Sequence, residues 1–127
     1  MKAVTWSDAE YPWRLKEIPD PPPVLYIKGS ILPEDERAVA VVGTRGPTTY
    51  GREAASVLTG DLSKNEITIV SGLARGIDGI SHRAALDNGG RTIAMVANGL
   101  DLVYPSEHSG FSRRITENGA VISEYPL

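Results

Sequence analysis

Cysteine is absent from this 127-residue chain. Its absence excludes disulfides, zinc–thiolate centres and thiol nucleophiles. Long apolar runs are missing as well. None approaches the roughly 18 residues that a membrane-crossing helix requires. The opening residues, Met1 to Asp8, lack the apolar stretch of a signal segment. The expected location is the cytoplasm, with no membrane partner. Histidine occurs only at positions 82 and 108, too few and too far apart for a metal cluster. Positive charge is also scarce, and the net charge is −3. Taken alone, that argues against a generic nucleic-acid binder.

The distribution of charge says more than the total. Residues 1–36 hold four basic and seven acidic groups, whereas residues 37–127 hold nine of each. In the second part every basic residue except Lys64 is arginine, including Arg45 and Arg75. The planar guanidinium fork suits phosphate contact.

What is present divides into an N-terminal extension and a repeating unit. Residues 1–36 include the run Asp20-Pro21-Pro22-Pro23, which favours polyproline II and cannot sit inside a sheet. Val24 to Lys28 then reads as a short strand closed by Gly29, and Pro33 to Glu36 as a polar turn. From residue 37 the pattern is regular. Ala38 to Val42 is a near-continuous apolar run, as expected of a parallel strand buried on both faces. Residues 50–64 predict a helix with a stripe of Ala54, Ala55, Val57, Leu58 and Leu62, and Thr48 or Thr49 is its candidate N-cap. Ile67 to Val70 is a second strand. Residues 76–88 predict a second helix with the stripe Ile77, Ile80, Ala84 and Ala85, stopped at Asn88-Gly89-Gly90. Thr92 to Ala97 is a third strand, residues 107–118 a third helix, and Ala120 to Ser123 a fourth strand. The alternation β-α-β-α-β-α-β predicts an α/β fold: a Rossmann-like, doubly wound, mainly parallel sheet with a strand-containing N-terminal extension.

Ligands of open α/β sheets bind beyond the carboxyl ends of the strands. Four segments occupy that edge: Gly43-Thr44-Arg45-Gly46, Ser71 to Asp78, Asn98 to Asp101, and Ser123 to Pro126. Glycines there permit close backbone approach, and the following helices offer free N–H groups to an anion. Arg45 and Arg75 add charge and bidentate hydrogen bonds. Gly43 can equally serve only the tight turn. Neither a G-x-G-x-x-G spacing nor a Walker A lysine is present, which disfavours a standard NAD or ATP site. Asp78 and His82, four apart on one helix, share a face. Two readings stay open: a polar pair at the cleft with His82 oriented by Asp78, or a helix-start acid beside a hydrogen-bonded structural histidine. Ser71 has no histidine base at a telling spacing, so no catalytic residue is assigned. Glu124 reads as a cleft acid or simply a strand end.

The stretch Ser71 to His82, SGLARGIDGISH, resembles the signature of the DNA-processing protein A family (DprA, also called Smf). Its neighbours agree in order. Tyr11-Pro12 with Leu15, Ile18 and Pro21-Pro22 to Gly29 is similar to the family's lead-in. Val41-Val42-Gly43-Thr44-Arg45 with Tyr50-Gly51 resembles its first strand and loop. Gly89 to Ala94, Gly99 to Pro105, and Ser123-Glu124-Tyr125-Pro126 match later motifs. The resemblance implies a non-enzymatic protein that binds single-stranded DNA, supports natural transformation and helps load a RecA-type recombinase. It also implies a homodimer and no cofactor. Carried onto this chain, Arg45 becomes the foremost phosphate contact, with Gly43, Thr44, Ser71, Gly72, Ala74, Arg75, Gly76, Asp78 and His82 around it. Gly99, Tyr104, Ser123 and Glu124 extend the cleft. Tyr50, Tyr104 and Phe111 are candidates for base stacking or for packing. Family members continue past the Ser-Glu-x-Pro motif, so residues 37–127 read as a core lacking its C-terminal part. Two alternatives are a phosphoribohydrolase similar to the "lonely guy" enzymes, whose Pro-Gly-Gly-x-Gly-Thr motif is not found here, and a sensor of a small nucleotide derivative.

Overall fold

A computed structural model of the chain describes residues 1–100 and 109–125. Its elements in chain order are β1 (Lys2–Thr5), β2 (Val24–Gly29), β3 (Ala38–Ala40), α1 (Thr49–Lys64), β4 (Thr68–Ser71), α2 (Ile77–Asp87), β5 (Thr92–Val96), α3 (Ser109–Glu117) and β6 (Gly119–Ser123). Short 3-10 turns cover Trp13–Glu17 and Pro33–Glu36. The six strands form one sheet in the order β1-β2-β6-β5-β4-β3. Strands β3 to β6 run parallel, and β2 joins β6 antiparallel. The architecture is the expected mainly parallel, Rossmann-like α/β sheet. Among the described residues the parallel strands follow one another without a reversal of order. Crossovers in a single direction, which α/β sheets make right-handed almost without exception, set the three helices side by side on one face.

That face is filled by Leu73, Leu86, Ala94, Leu100, Phe111, Ile115 and Val121. The opposite face carries Val4, Tyr11, Leu25, Ile27, Ile93, Ala120 and Ile122, with Leu15, Ile31 and Val70 against them. Residues 1–36 therefore supply two strands to the sheet and cover its helix-free side. The Tyr11 hydroxyl donates to the Pro22 carbonyl at 2.6 Å, tying the proline run to this layer.

Two expectations need correction. Ala38, Val39 and Ala40 are exposed rather than buried on both faces, because β3 is the edge of the sheet among the described residues. Helix α1 is also turned differently from its apolar stripe. It buries Thr59, Gly60 and Ser63, while Val57 is 64% and Leu58 59% exposed. Close approach of α1 and α2 explains this choice. The Ser63 hydroxyl donates to the Ala85 carbonyl at 3.3 Å, and a Cβ on Gly60 would come within 2.9 Å of the Asn88 amide nitrogen. Only small side chains fit a seam that tight. As expected, Thr48 caps α1, accepting from the Gly51 N–H at 3.1 Å. Gly89 ends α2 with φ +74°.

The amino edge of the sheet is held by one ion pair. Arg91 Nε lies 2.8 Å from Asp35 Oδ1, and its Nη2 donates to Asp35 Oδ2 at 2.9 Å and to the Ser30 carbonyl at 2.6 Å. The Thr68 hydroxyl also donates to Asp35 at 2.7 Å. The clamp joins the 33–36 turn to the starts of β4 and β5.

Candidate nucleic-acid interface

The loops that leave β3 and β4 meet at the carboxyl edge of the sheet. Gly76, with φ +78°, lies flat against the first loop: a Cβ there would sit 2.3 Å from the Thr44 carbonyl oxygen. The Ile77 N–H donates to that same oxygen at 3.1 Å. A Cβ on Gly43 would in turn come within 2.8 Å of the Ile77 side chain. The two glycine-bearing turns are thus packed together, with Arg45 and Arg75 both exposed beside them. Arg45, Gly72, Ala74, Arg75, Val96, Ala97 and Asn98 line a cleft of about 160 Å³. Arg45 forms no ion pair among the described residues. A guanidinium so placed can accept a phosphate without first giving up an internal partner.

The polar groups behind the rim are structural. Ser71, buried, donates its hydroxyl to the Val41 carbonyl at 2.6 Å. Asp78 accepts the Gly72 N–H at 3.1 Å from the first turn of α2, where the helix dipole favours a carboxylate. His82 is fully buried. The Thr92 hydroxyl donates to the Ile69 carbonyl at 2.8 Å, so its oxygen accepts from His82 Nδ1 at 2.6 Å. The Leu73 N–H donates to His82 Nε2 at 3.2 Å. This pattern fixes the neutral ring with its proton on Nδ1. The reading of His82 as a cleft residue oriented by Asp78 is therefore corrected. Asp78 bonds the 72 amide instead, and His82 links α2 to β5 and to the 71–76 loop from inside the core.

Ser123 is also buried, donating to the Asn98 carbonyl at 2.7 Å, and it accepts the Tyr125 N–H at 3.0 Å. Gly99 is half-buried, its carbonyl bonded by the Asn98 amide at 2.9 Å. Glu124 is exposed. Burial, and then the Glu124 carboxylate, push the Tyr11 hydroxyl above its ordinary pKa. Phe111 is packed, edge-on to His82 with ring centres 6.2 Å apart. Tyr104 and His108 lie outside the described residues. Among the candidates, then, Gly43, Thr44, Arg45, Gly72, Ala74, Arg75 and Gly76 come together at the rim. Ser71, Asp78, His82 and Ser123 support it from behind. Sequence reasoning passed over Asn98 and Val96 as individual lining residues, although they sit just where β5 ends.

A larger cavity, about 280 Å³, opens at the opposite edge of the sheet. Its cations Arg37 and Arg91 are offset by Glu34 and Glu66 in the same wall, and Arg91 is held by Asp35. It suits a polyanion less well than the strand-end cleft. Among the described residues no His, Cys, Asp and Glu side chains gather as a metal site. No helix among them is long and apolar enough to cross a membrane.

Comparison with known proteins agrees with this fold. The family model of DNA recombination-mediator protein A matches residues 2–127. DNA processing protein DprA of Bacillus subtilis is 41% identical over 121 residues, covering 94% of this chain and 41% of the relative. That of Streptococcus pneumoniae is 44% identical over 115 residues, 91% of this chain and 40% of the relative. The X-ray structure of the Streptococcus pneumoniae protein superposes with a TM-score of 0.88 at 41% identity, over 98% of this chain and 44% of that one. DprA from Helicobacter pylori, whose structure concerns a single-stranded DNA binding mode, gives 0.84 at 33% identity, over 99% and 57%. The chain spans about two fifths of the length of these two curated relatives. With a family model matching it from residue 2 to residue 127, the chain belongs to the DNA recombination-mediator protein A family.

Proposed function

We propose that this chain binds single-stranded DNA through the carboxyl edge of its sheet, without catalysing a reaction. The observation that carries the reading is the junction of the 43–46 and 71–76 loops, which sets exposed Arg45 and Arg75 beside a glycine-lined cleft. Arginines and loop amides grip phosphates without reading bases. The single-stranded DNA binding of the Helicobacter pylori relative supports the choice of ligand. The absence of chemistry rests on Ser71 and His82, whose polar atoms are used inside the core. Support of DNA uptake, loading of a RecA-type recombinase, a homodimer and a cytoplasmic location belong to the same proposal by family likeness.

Fluorescence anisotropy with a labelled oligothymidylate at several salt concentrations tests it. Affinity falls as salt rises, since each neutralised phosphate of a single strand contributes about 0.7 to the slope of log K against log salt. Arg45→Ala weakens binding at least tenfold and flattens that slope by about 0.7. Wild-type affinity and slope in Arg45→Ala would remove the assigned role.

A further inference from the structure

We infer that Tyr50, in the helix turn that follows the Arg45 loop, is a base-stacking platform, the residue that makes the site prefer single strands to duplex. The inference rests on the reading of the groove as a phosphate-gripping site and adds the contact made to the bases. Tyr50 is 80% exposed. It stands in the first turn of α1, directly after the 43–48 loop that carries Arg45. Its backbone is fixed there, because Thr48 caps the helix and the Gly46 N–H donates to the Thr44 hydroxyl at 3.2 Å. The ring enters no aromatic or cation contact among the described residues. An open aromatic face on a fixed stretch of backbone gives a base a surface on which to stack.

Among the described residues the other aromatic side chains are committed to packing or stand away from the Arg45 loop. Phe111 is 8% exposed, with the Arg83 guanidinium 5.4 Å above its ring. Trp6 stacks on Tyr11 at 6.3 Å, and Trp13 donates to Glu36 at 2.8 Å, both in the N-terminal layer. Tyr125, half exposed, follows β6 on the Asn98 side of the cleft, three strands from β3, or about 14 Å at the usual strand spacing, and so away from the Arg45 loop. Among the described residues only Tyr50 combines an open ring with adjacency to the Arg45 loop. Duplex bases are stacked on one another and cannot offer a face to such a ring; the bases of a single strand can.

The test compares three ligands on the 127-residue chain: oligothymidylate, a duplex of equal length, and an abasic phosphodiester of equal length. Tyr50→Ala is expected to weaken oligothymidylate binding about tenfold, leave the salt slope unchanged, and leave abasic and duplex binding unchanged. Tyr50→Phe keeps wild-type affinity, and Tyr50→Trp shows fluorescence quenching on binding. Circular dichroism establishes that the variants are folded. Unchanged oligothymidylate affinity in Tyr50→Ala, or an equal loss on the abasic strand, overturns the stacking role while Arg45→Ala still reports on the groove. If Arg45→Ala is also silent, the groove itself is misassigned.

Discussion

A methyl group on Gly76 would lie 2.3 Å from the Thr44 carbonyl oxygen and 2.7 Å from the Arg45 Cα, at a φ of +78° that L side chains seldom adopt. Gly76→Ala must therefore separate the two loops or strain the backbone. We expect a loss of about 3 kcal/mol in urea unfolding and weakened oligonucleotide binding in the protein that remains folded; a change below about 0.5 kcal/mol would contradict the packing described. His82 belongs to the same scale. Removing its ring takes away the Nε2 acceptor of the Leu73 N–H and the Nδ1 bond to Thr92, and opens a cavity between α2 and β5. His82→Ala is expected to cost about 3 kcal/mol, read as a lowered thermal midpoint. The two open readings of His82 could not be separated by helical spacing. The deciding partners, Thr92 and Leu73, are set by the docking of α2 on the sheet and not by period. The position of Arg45 at the carboxyl edge was legible, because a strand end followed by a glycine puts the next residues on that rim.

Among the elements, α1 departs most from its sequence pattern. Hydrophobic periodicity named Val57 and Leu58 as its inner face, yet the small residues Thr59, Gly60 and Ser63 face α2. Periodicity measures where apolar groups lie; it does not know how near the neighbouring helix comes. The contrast is testable. Leu58→Gln should alter stability by less than about 0.5 kcal/mol, whereas Ser63→Leu should cost about 2 kcal/mol or more through overpacking against Ala85 and Gly90. Strand β3 shows the same limit, since its apolar run alone cannot reveal whether a further strand lies beside it. The Asp35–Arg91 clamp was hidden for another reason: its members are 56 residues apart. Burial opposes the charge on Asp35, but hydrogen bonds from Arg91, the Leu32 N–H and Thr68 outweigh it and hold the carboxyl below its ordinary value. A carboxylate lowered in the folded state adds stability above its unfolded pKa, roughly 3.9, and loses it as pH falls through the folded value. The thermal-midpoint advantage of wild type over Asp35→Asn should thus be full at neutral pH and shrink as pH drops below about 4. An advantage unchanged at pH 2.5 would contradict the clamp.

For the whole molecule, the sheet separates two jobs between its edges. The amino edge carries the half-buried clamp that ties the 33–36 turn to the starts of β4 and β5. The carboxyl edge carries the loops, the exposed arginines and the cleft. The order of the helices and parallel strands was readable because each apolar run, glycine and cap is local in sequence. The packing of residues 1–36 onto the helix-free face was not. Only the tertiary fold brings Tyr11 and Leu15 against Ile93 and Ile122. The central claim is that the carboxyl edge is where nucleic acid lies. Amide chemical shifts of the 127-residue chain, followed as oligothymidylate is added, address it directly. The account predicts the largest changes at Thr44 to Gly46, Gly72 to Gly76 and Asn98, with Arg37 and Gly89 to Arg91 silent. Changes centred on the opposite edge, with the 43–46 and 71–76 loops unmoved, would contradict it.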